Sequence, residues 1–221
     1  MHLACQQATV KIVSLLLRRG VSPHVENKNK KTPLHVATSM RKSEIVAMLL
    51  NSGVDPEGNK RDDIESPLII AAQQGDTKTV QTLLKGGASP RRHTKRKSYS
   101  GWNPLHFAAH KGHLEIVQHL IDNPWTNPKS KTHAGLTAAK IAKNAQHFKI
   151  VKFIKKQTNS GGFHKRISAA LMSPKFKNKV KGNKSMTYVY ILSLSLFTLE
   201  RLFSRCILKK IKGLTLPSEG S

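Results

Sequence analysis

Histidine is the residue type in this chain best placed to do chemistry. Eleven occur among 221 residues. His106 and His110 are four apart, with His113 and His119 nearby, and on one helix face that spacing suits a metal ion. Carboxylates gather at Asp62, Asp63 and Glu65, where a recognition surface is a better reading than a general acid–base pair. The run Arg91-Arg92-His93-Thr94-Lys95-Arg96-Lys97-Ser98-Tyr99-Ser100 holds five positive charges and no acid. It reads as a nuclear-import signal or a phosphate-binding loop. Tyr99 and Trp102 are too few aromatics to form a base-stacking platform beside it. The sequence has no phosphate-binding glycine loop, nucleophile elbow or paired-carboxylate motif. Cys5 and Cys206 lie far apart, without metal or redox spacing, which is cysteine usage of a reducing compartment. These features predict neither an enzyme nor a bound cofactor.

The elements that must position these residues come from a repeat. Thr32-Pro33-Leu34-His35-Val36-Ala37 returns as Ser66-Pro67-Leu68-Ile69-Ile70-Ala71 and as Asn103-Pro104-Leu105-His106-Phe107-Ala108. A fainter copy is Thr137-Ala138-Ala139-Lys140-Ile141-Ala142, and Met1-His2-Leu3-Ala4 reads as the tail of another. Positions 2, 35, 69, 106 and 140 are equivalent, so the spacings are 33, 34, 37 and 34 residues. Such a period marks a stacked helical array.

Each copy has a local logic. Thr, Ser or Asn is suited to cap a helix N-terminus, and proline follows at the first helical position, where no amide bond is lost. The alanine pairs Ala71-Ala72 and Ala108-Ala109 allow close helix approach, and Gly75 and Gly112 fall where the first helix should stop. Second helices carry apolar residues at helical spacing: Val10, Val13, Leu16, Leu17; Ile45, Val46, Leu49, Leu50; Val80, Leu83, Leu84; Ile116, Val117, Leu120, Ile121. Gly20, Gly53 and Gly86-Gly87 should close three of them in a left-handed conformation, and Asn123 should do so in the fourth.

These residues resemble the ankyrin-repeat family over roughly 1 to 156. The fullest match is the stretch from Gly101 through Asn103-Pro104-Leu105-His106 to Val117. The resemblance implies an all-α solenoid of helix-turn-helix units with hairpin loops, divided near 1–24, 25–57, 58–91, 92–127 and 128–157. The fifth copy lacks the proline and the closing glycine. Its exposed lysines, Lys140, Lys143, Lys149, Lys152, Lys155 and Lys156, suit a polar C-terminal cap. No such cap precedes the first copy, where Met1 stands inside a helix. The chain is read as truncated there in preference to a tolerated half-repeat.

The formal net charge is +26, and it is unevenly placed. Residues 1–128 carry 18 basic and 10 acidic residues, and residues 129–221 carry 20 and 2. This asymmetry points to an anionic partner or to a lysine-rich compositional bias. Residues 158–221 read as a basic tail. Lys175, Lys177, Lys179, Lys181 and Lys184 suit a disordered linker, and Met186–Leu199 is too short for a confident membrane span. Arg201, Arg205, Lys209 and Lys212 would share one face of a helix, opposite Leu199, Phe203, Cys206, Ile207 and Ile211. That pattern suits docking on an anionic membrane or a partner, or the tail is unselected sequence.

The resemblance also implies where binding occurs: at the hairpin tips and the exposed face of each first helix. Position by position these are Lys28, Asn29, Lys31, Ser39 and Met40; Asp62, Asp63, Glu65, Gln73 and Gln74; and Tyr99, Ser100, Trp102, His110 and Lys111. Trp102 is the expected anchor, unless it packs along its own hairpin. The resemblance makes His35 and His106 structural ties within and between repeats. It places His110 and His113 at exposed positions, so no metal site is expected. The leading expectation is a monomeric, non-enzymatic scaffold or adaptor of the cytoplasm or nucleus that binds another protein through the concave surface of the repeats. The alternatives are a binder of nucleic acid or membrane through the basic finger and tail, with peripheral membrane association, and the repeat part of a larger enzyme or channel.

Overall fold

Proline at a first helical position and apolar residues on one helix face produce the expected pairs. A computed structural model describes residues 1–7, 9–59 and 64–159. The hairpin residues Asp62 and Asp63 and the tail from residue 160 lie outside the described residues. Among the latter, the first helices of the five pairs are α1 (His2–Gln7), α3 (Pro33–Ser39), α5 (Pro67–Gln74), α7 (Pro104–Lys111) and α9 (Ala138–Asn144). The second helices are α2 (Val10–Arg18), α4 (Ser43–Asn51), α6 (Thr77–Lys85), α8 (Leu114–Asp122) and α10 (Phe148–Asn159). First helices stack on first helices, and second helices on second helices, from pair to pair.

The core runs through this stack as a continuous seam. Leu34, Ala37, Leu68, Ala71, Ala72, Leu105, Ala108, Ala109, Ala138 and Ala142 supply the first-helix side. Val13, Ile45, Val46, Leu49, Val80, Leu83, Ile116, Val117, Leu120, Ile121, Ile150 and Ile154 supply the second. Alanines on the first helices let neighbouring backbones approach, while branched residues fill the wider space behind them. At the start of the stack, Leu3, Ile12 and Leu15 are exposed.

The caps follow the motif, with two departures. The Asn103 side chain accepts from the His106 amide at 3.1 Å, and the Thr137 hydroxyl accepts from the Lys140 amide at 3.4 Å. Ser66 has the extended cap backbone but makes no side-chain cap bond. At the far ends Gly20, Gly53 and Gly87 are left-handed as expected. Asn123 is not: its backbone is extended, at φ −68° and ψ 123°. Pro124 follows it, and a residue before proline is driven out of helical space. The Asn123 carboxamide instead accepts from the Trp125 amide at 2.9 Å, forming a local turn.

One backbone position repeats through the array. The residue eight positions after the start of the first helix is left-handed in four repeats: Arg41 (φ 56°), Gly75 (78°), Gly112 (81°) and Gln146 (62°). At Gly75 and Gly112 a second demand is added. A Cβ would lie 2.6 Å from the His113 ring at Gly75 and 2.7 Å from the His147 ring at Gly112. Each imidazole packs flat on the glycine of the preceding repeat. His147 Nε2 lies 3.1 Å from the His110 carbonyl, and His113 Nε2 lies 3.4 Å from the Gln73 carbonyl.

A second set of histidines ties the repeats on the hairpin side. His106 Nδ1 accepts from the Asn103 amide at 3.1 Å, so Nε2 carries the proton and donates to the Ser130 carbonyl at 3.1 Å. His2 Nε2 lies 2.9 Å from the Lys31 carbonyl in the same arrangement. His35 Nδ1 accepts from the Thr32 amide at 3.2 Å, and its ring lies against Gly58 of the next hairpin. In the third repeat Ile69 takes the position and is buried. Burial is the main cause that lowers both His35 and His106 to a pKa of about 4.

Two predictions follow from these positions. Gln146→Gly should stabilise the array by about 1 kcal/mol, because a left-handed L-residue costs roughly 1–2 kcal/mol. Gly112→Ala should destabilise it by about 1–3 kcal/mol through backbone strain and the clash with His147. Equal melting temperatures for the two variants would refute this account. The second concerns pH. The folded pKa of His35 and His106 lies below the unfolded value, so the unfolded chain takes up more protons between about pH 6.5 and 4. Stability is therefore full above pH 6.5 and falls as pH drops towards 4, by on the order of 2–3 kcal/mol per histidine. Urea melts at pH 7 and pH 4.5 measure this, and His106→Gln should be less stable at pH 7 yet show a shallower pH slope.

Candidate protein-recognition surface

Backbone hydrogen bonds close the hairpins that precede the first helices. In the second repeat the Asn27 amide donates to the Lys31 carbonyl at 2.9 Å, and the Lys30 amide to the Asn27 carbonyl at 2.8 Å. In the fifth, Thr132 and Leu136 pair at 2.9 Å, and the Gly135 amide donates to Thr132 at 2.9 Å. The fourth uses the same closure with a longer tip. Its Thr94 amide donates to the Trp102 carbonyl at 2.8 Å, and the Gly101 amide to the Thr94 carbonyl at 2.9 Å. The extra residues that stretch the spacing to 37 are thus looped out beyond an unchanged base. A single 3-10 turn, Lys97–Tyr99, shapes that tip.

The positive charges of this finger are largely spoken for. Arg92 pairs with Glu57 at 3.5 Å and donates to the Asn59 carbonyl at 3.2 Å. Arg96 pairs with Glu65 at 3.5 Å. Arg91 donates to the Trp125 carbonyl at 2.8 Å and lies 6.0 Å from the Trp125 ring centre. Lys95 and Lys97 are exposed. The three arginines therefore bind the fourth hairpin to its neighbours before any external anion is considered.

Trp102 is half-buried in an aromatic group. Its ring centre lies 5.0 Å from Tyr99, 5.1 Å from Phe107 and 5.4 Å from His110. Tyr99 covers the outer side and is 37% exposed. His110 and His113, expected at exposed positions, are both half-buried. His110 stacks edge-on against Trp102, and burial beside Lys111 and His147 lowers its pKa. His113 is held on Gly75. Among the described residues no three or more His, Cys, Asp or Glu side chains converge to hold a metal ion.

The remaining candidates divide in two. Lys28, Asn29, Met40 and Lys111 are exposed, with Met40 at 44%, and they form the outward edge of the second and fourth repeats. Lys31, Ser39, Gln73, Gln74 and Ser100 are half-buried and serve internal bonds or packing. Gln74 Nε2 donates to the Ser39 carbonyl at 2.9 Å, and Ser100 Oγ lies 2.7 Å from His133 Nδ1. Glu65 is buried, not presented at a tip, because Gln73 Nε2 donates to it at 3.2 Å and Arg96 covers it. Burial raises the Cys5 thiol to a pKa of about 11, which makes it a packing residue and not a nucleophile. No helix among the described residues is long and apolar enough to cross a membrane.

Three positioning residues were not legible as such in the sequence. Glu57 accepts from the Ser89 amide at 2.6 Å as well as pairing with Arg92. Arg41 donates to the Gln74 carbonyl of the next repeat. His147 repeats the register of His113 at a spacing of 34 residues, and that echo was the available signal.

Comparison with known proteins agrees with this geometry. A family model described as ankyrin repeats matches residues 1–93 and 68–165. The chain is 34% identical over 124 residues to human transient receptor potential cation channel subfamily A member 1, covering 55% of this chain and 11% of the channel. It is 35% identical over 103 residues to human NF-kappa-B inhibitor alpha, covering 43% and 31%. It is 38% identical over 180 residues to human ankyrin repeat and SOCS box protein 3, covering 67% and 34%. The chain spans about a third or less of the length of these relatives, which differ widely in overall activity while sharing the repeats. Its stacked helix pairs, its motif prolines and histidines and this match over most of its length establish that the chain belongs to the ankyrin-repeat family.

Proposed function

We propose that this chain is a protein-recognition module without catalytic activity, which binds its partner through the hairpin tips and the adjoining ends of the first helices. The observation that carries this reading is how the polar side chains are allotted. Those that recur in register, His2, His106, His113 and His147, are consumed by ties to a neighbouring repeat. Those at the outward edge differ from repeat to repeat and remain exposed: Lys28, Asn29, Met40, Tyr99 and Lys111. A rigid frame with a variable edge suits recognition, where a few exposed anchors dominate affinity. The buried, neutral imidazoles and the high-pKa thiol offer no nucleophile or base at that edge.

A second reading, binding to an anionic surface, has one observation in its favour. Lys149, Lys152, Lys155 and Lys156 are exposed on α10, which carries no acid. At 100° per residue they fall within about 120° of arc. The paired arginines of the finger count against the finger's part in that reading.

Photo-crosslinkers placed at Met40 or Lys111 should capture a partner from cell extract, whereas one at Lys85 on a second helix should not. The double variant Met40→Glu/Lys111→Glu should weaken binding of that partner by about tenfold or more with an unchanged melting temperature, the scale of losing one interface anchor. Equal capture from all three positions would reject the recognition edge. Affinity that falls steeply with salt, and that survives the double variant but not loss of the α10 lysines, would favour the second reading.

A further inference from the structure

We propose that Ser98 is a phosphorylation site for a basophilic serine/threonine kinase, one whose acidic groove selects lysine or arginine two and three residues before the acceptor. This goes beyond the recognition role and does not depend on it. The finger contains four hydroxyl residues, Thr94, Ser98, Tyr99 and Ser100. By sequence alone Thr94 has the stronger basic approach, with Arg91 and Arg92 three and two residues before it. The fold removes it from reach. Thr94 is 4% exposed, its backbone forms the hairpin base with Trp102 and Gly101, and its hydroxyl accepts from the Arg96 amide at 3.2 Å.

The other hydroxyls are also held. Ser100 is half-buried and tied to His133 at 2.7 Å. The Tyr99 ring lies against Trp102 and Phe107 at 5.0 and 5.3 Å. Ser98 is exposed at the looped-out tip, preceded by Lys95, Arg96 and Lys97. Arg96 has the extended backbone a kinase groove accepts, at φ −57° and ψ 132°, and its side chain is 60% exposed. The 3-10 turn, with its bond from the Tyr99 amide to the Arg96 carbonyl at 3.0 Å, must open for Ser98 to enter extended, while the bonds at the hairpin base can stay in place.

In the reaction, Ser98 Oγ attacks the γ-phosphorus of ATP. The new O–P bond forms as the bond to the β–γ bridging oxygen breaks. ADP leaves, and the hydroxyl proton passes to a carboxylate of the kinase. The product places roughly two negative charges two residues from Arg96. A phosphate is a stronger acceptor for guanidinium than a single carboxylate, so Arg96 is drawn away from Glu65, and the finger loses much of its positive charge.

The test uses the full chain, ATP and the catalytic subunit of cyclic-AMP-dependent protein kinase, with site-resolved mass spectrometry. The sequence Lys165-Arg166-Ile167-Ser168 has basic residues at the same two offsets and serves as an internal positive control. Ser98 should be phosphorylated and Thr94 not, while chain unfolded in urea, then diluted into the assay and labelled before it refolds, should take phosphate on both. Arg96→Gln should slow labelling of Ser98 by about tenfold, the scale of one lost charge-paired contact. Ser98→Ala should leave no phosphate between residues 94 and 100. Absence of phosphate at Ser98, or Thr94 labelled as fast as Ser98 in the folded chain, overturns the proposal.

Discussion

A unit of two short helices cannot bury its own apolar face, and the rest of this structure depends on that constraint. Leu68, Ala71 and Ala72 of α5 are buried because α3 and α7 of the neighbouring pairs pack on that helix as well as α6. Stacking solves this, but it also brings polar backbone against polar backbone at every joint. Carbonyls at the ends of first helices and at the hairpins are partly withdrawn from water there, and each needs a donor. The histidines meet that need. His106 reaches Ser130 and His147 reaches His110, so hydrophobic burial and register are enforced at the same joints. An imidazole is well suited to the task because it is flat enough to lie on a glycine and carries both an acceptor and a donor.

How far this was legible in the sequence depended on whether the determinant was local. Proline after a capping residue, alanine pairs and apolar periodicity act within one repeat. They located the helix pairs and most of the core. The ties at the joints act between repeats, and only a residue that recurs at the repeat spacing betrays them. His106 did so through its motif. His113 and His147 also recur, but at the start of a second helix, where histidine resembles an ordinary exposed polar residue. Arg92, Arg96 and Glu65 could not be read at all. A basic run beside scattered acids looks the same whether the charges face solvent or each other, and only the fold brings Arg96 to Glu65. Asn123 failed for a local reason that was present in the sequence: its suitability for a left-handed cap is outweighed by the steric demand of Pro124.

The fourth repeat shows how an array can vary without loss of its frame. The insertion leaves the hairpin base bonded as in the second and fifth repeats and places its length at the tip. The finger is packed on the Trp102, Tyr99 and Phe107 rings and tied to neighbouring repeats by Arg91, Arg92 and Arg96. Extra residues in a closed loop add little ordering cost when the closure itself is unchanged. Length at the tip is therefore free to differ, whereas changes at Thr94, Arg96 or Trp102 would disturb bonds of the fold.

The same division separates the perturbed groups from those at the outward edge. Catalysis needs titratable groups that are both perturbed and accessible. Here the most strongly perturbed groups, His35, His106 and Cys5, are buried in the joints and core, and burial is the main cause of their shifts; His110, half-buried against Trp102, is lowered for the same main reason. At the outward edge of the second and fourth repeats the accessible groups are lysines, an asparagine, a methionine and the edge of a tyrosine, which contribute contact area and charge. The constraint that makes His106 and His147 ties therefore commits those imidazoles to the joints, and it leaves to the outward edge the one property that neighbouring repeats do not share, the identity of its side chains.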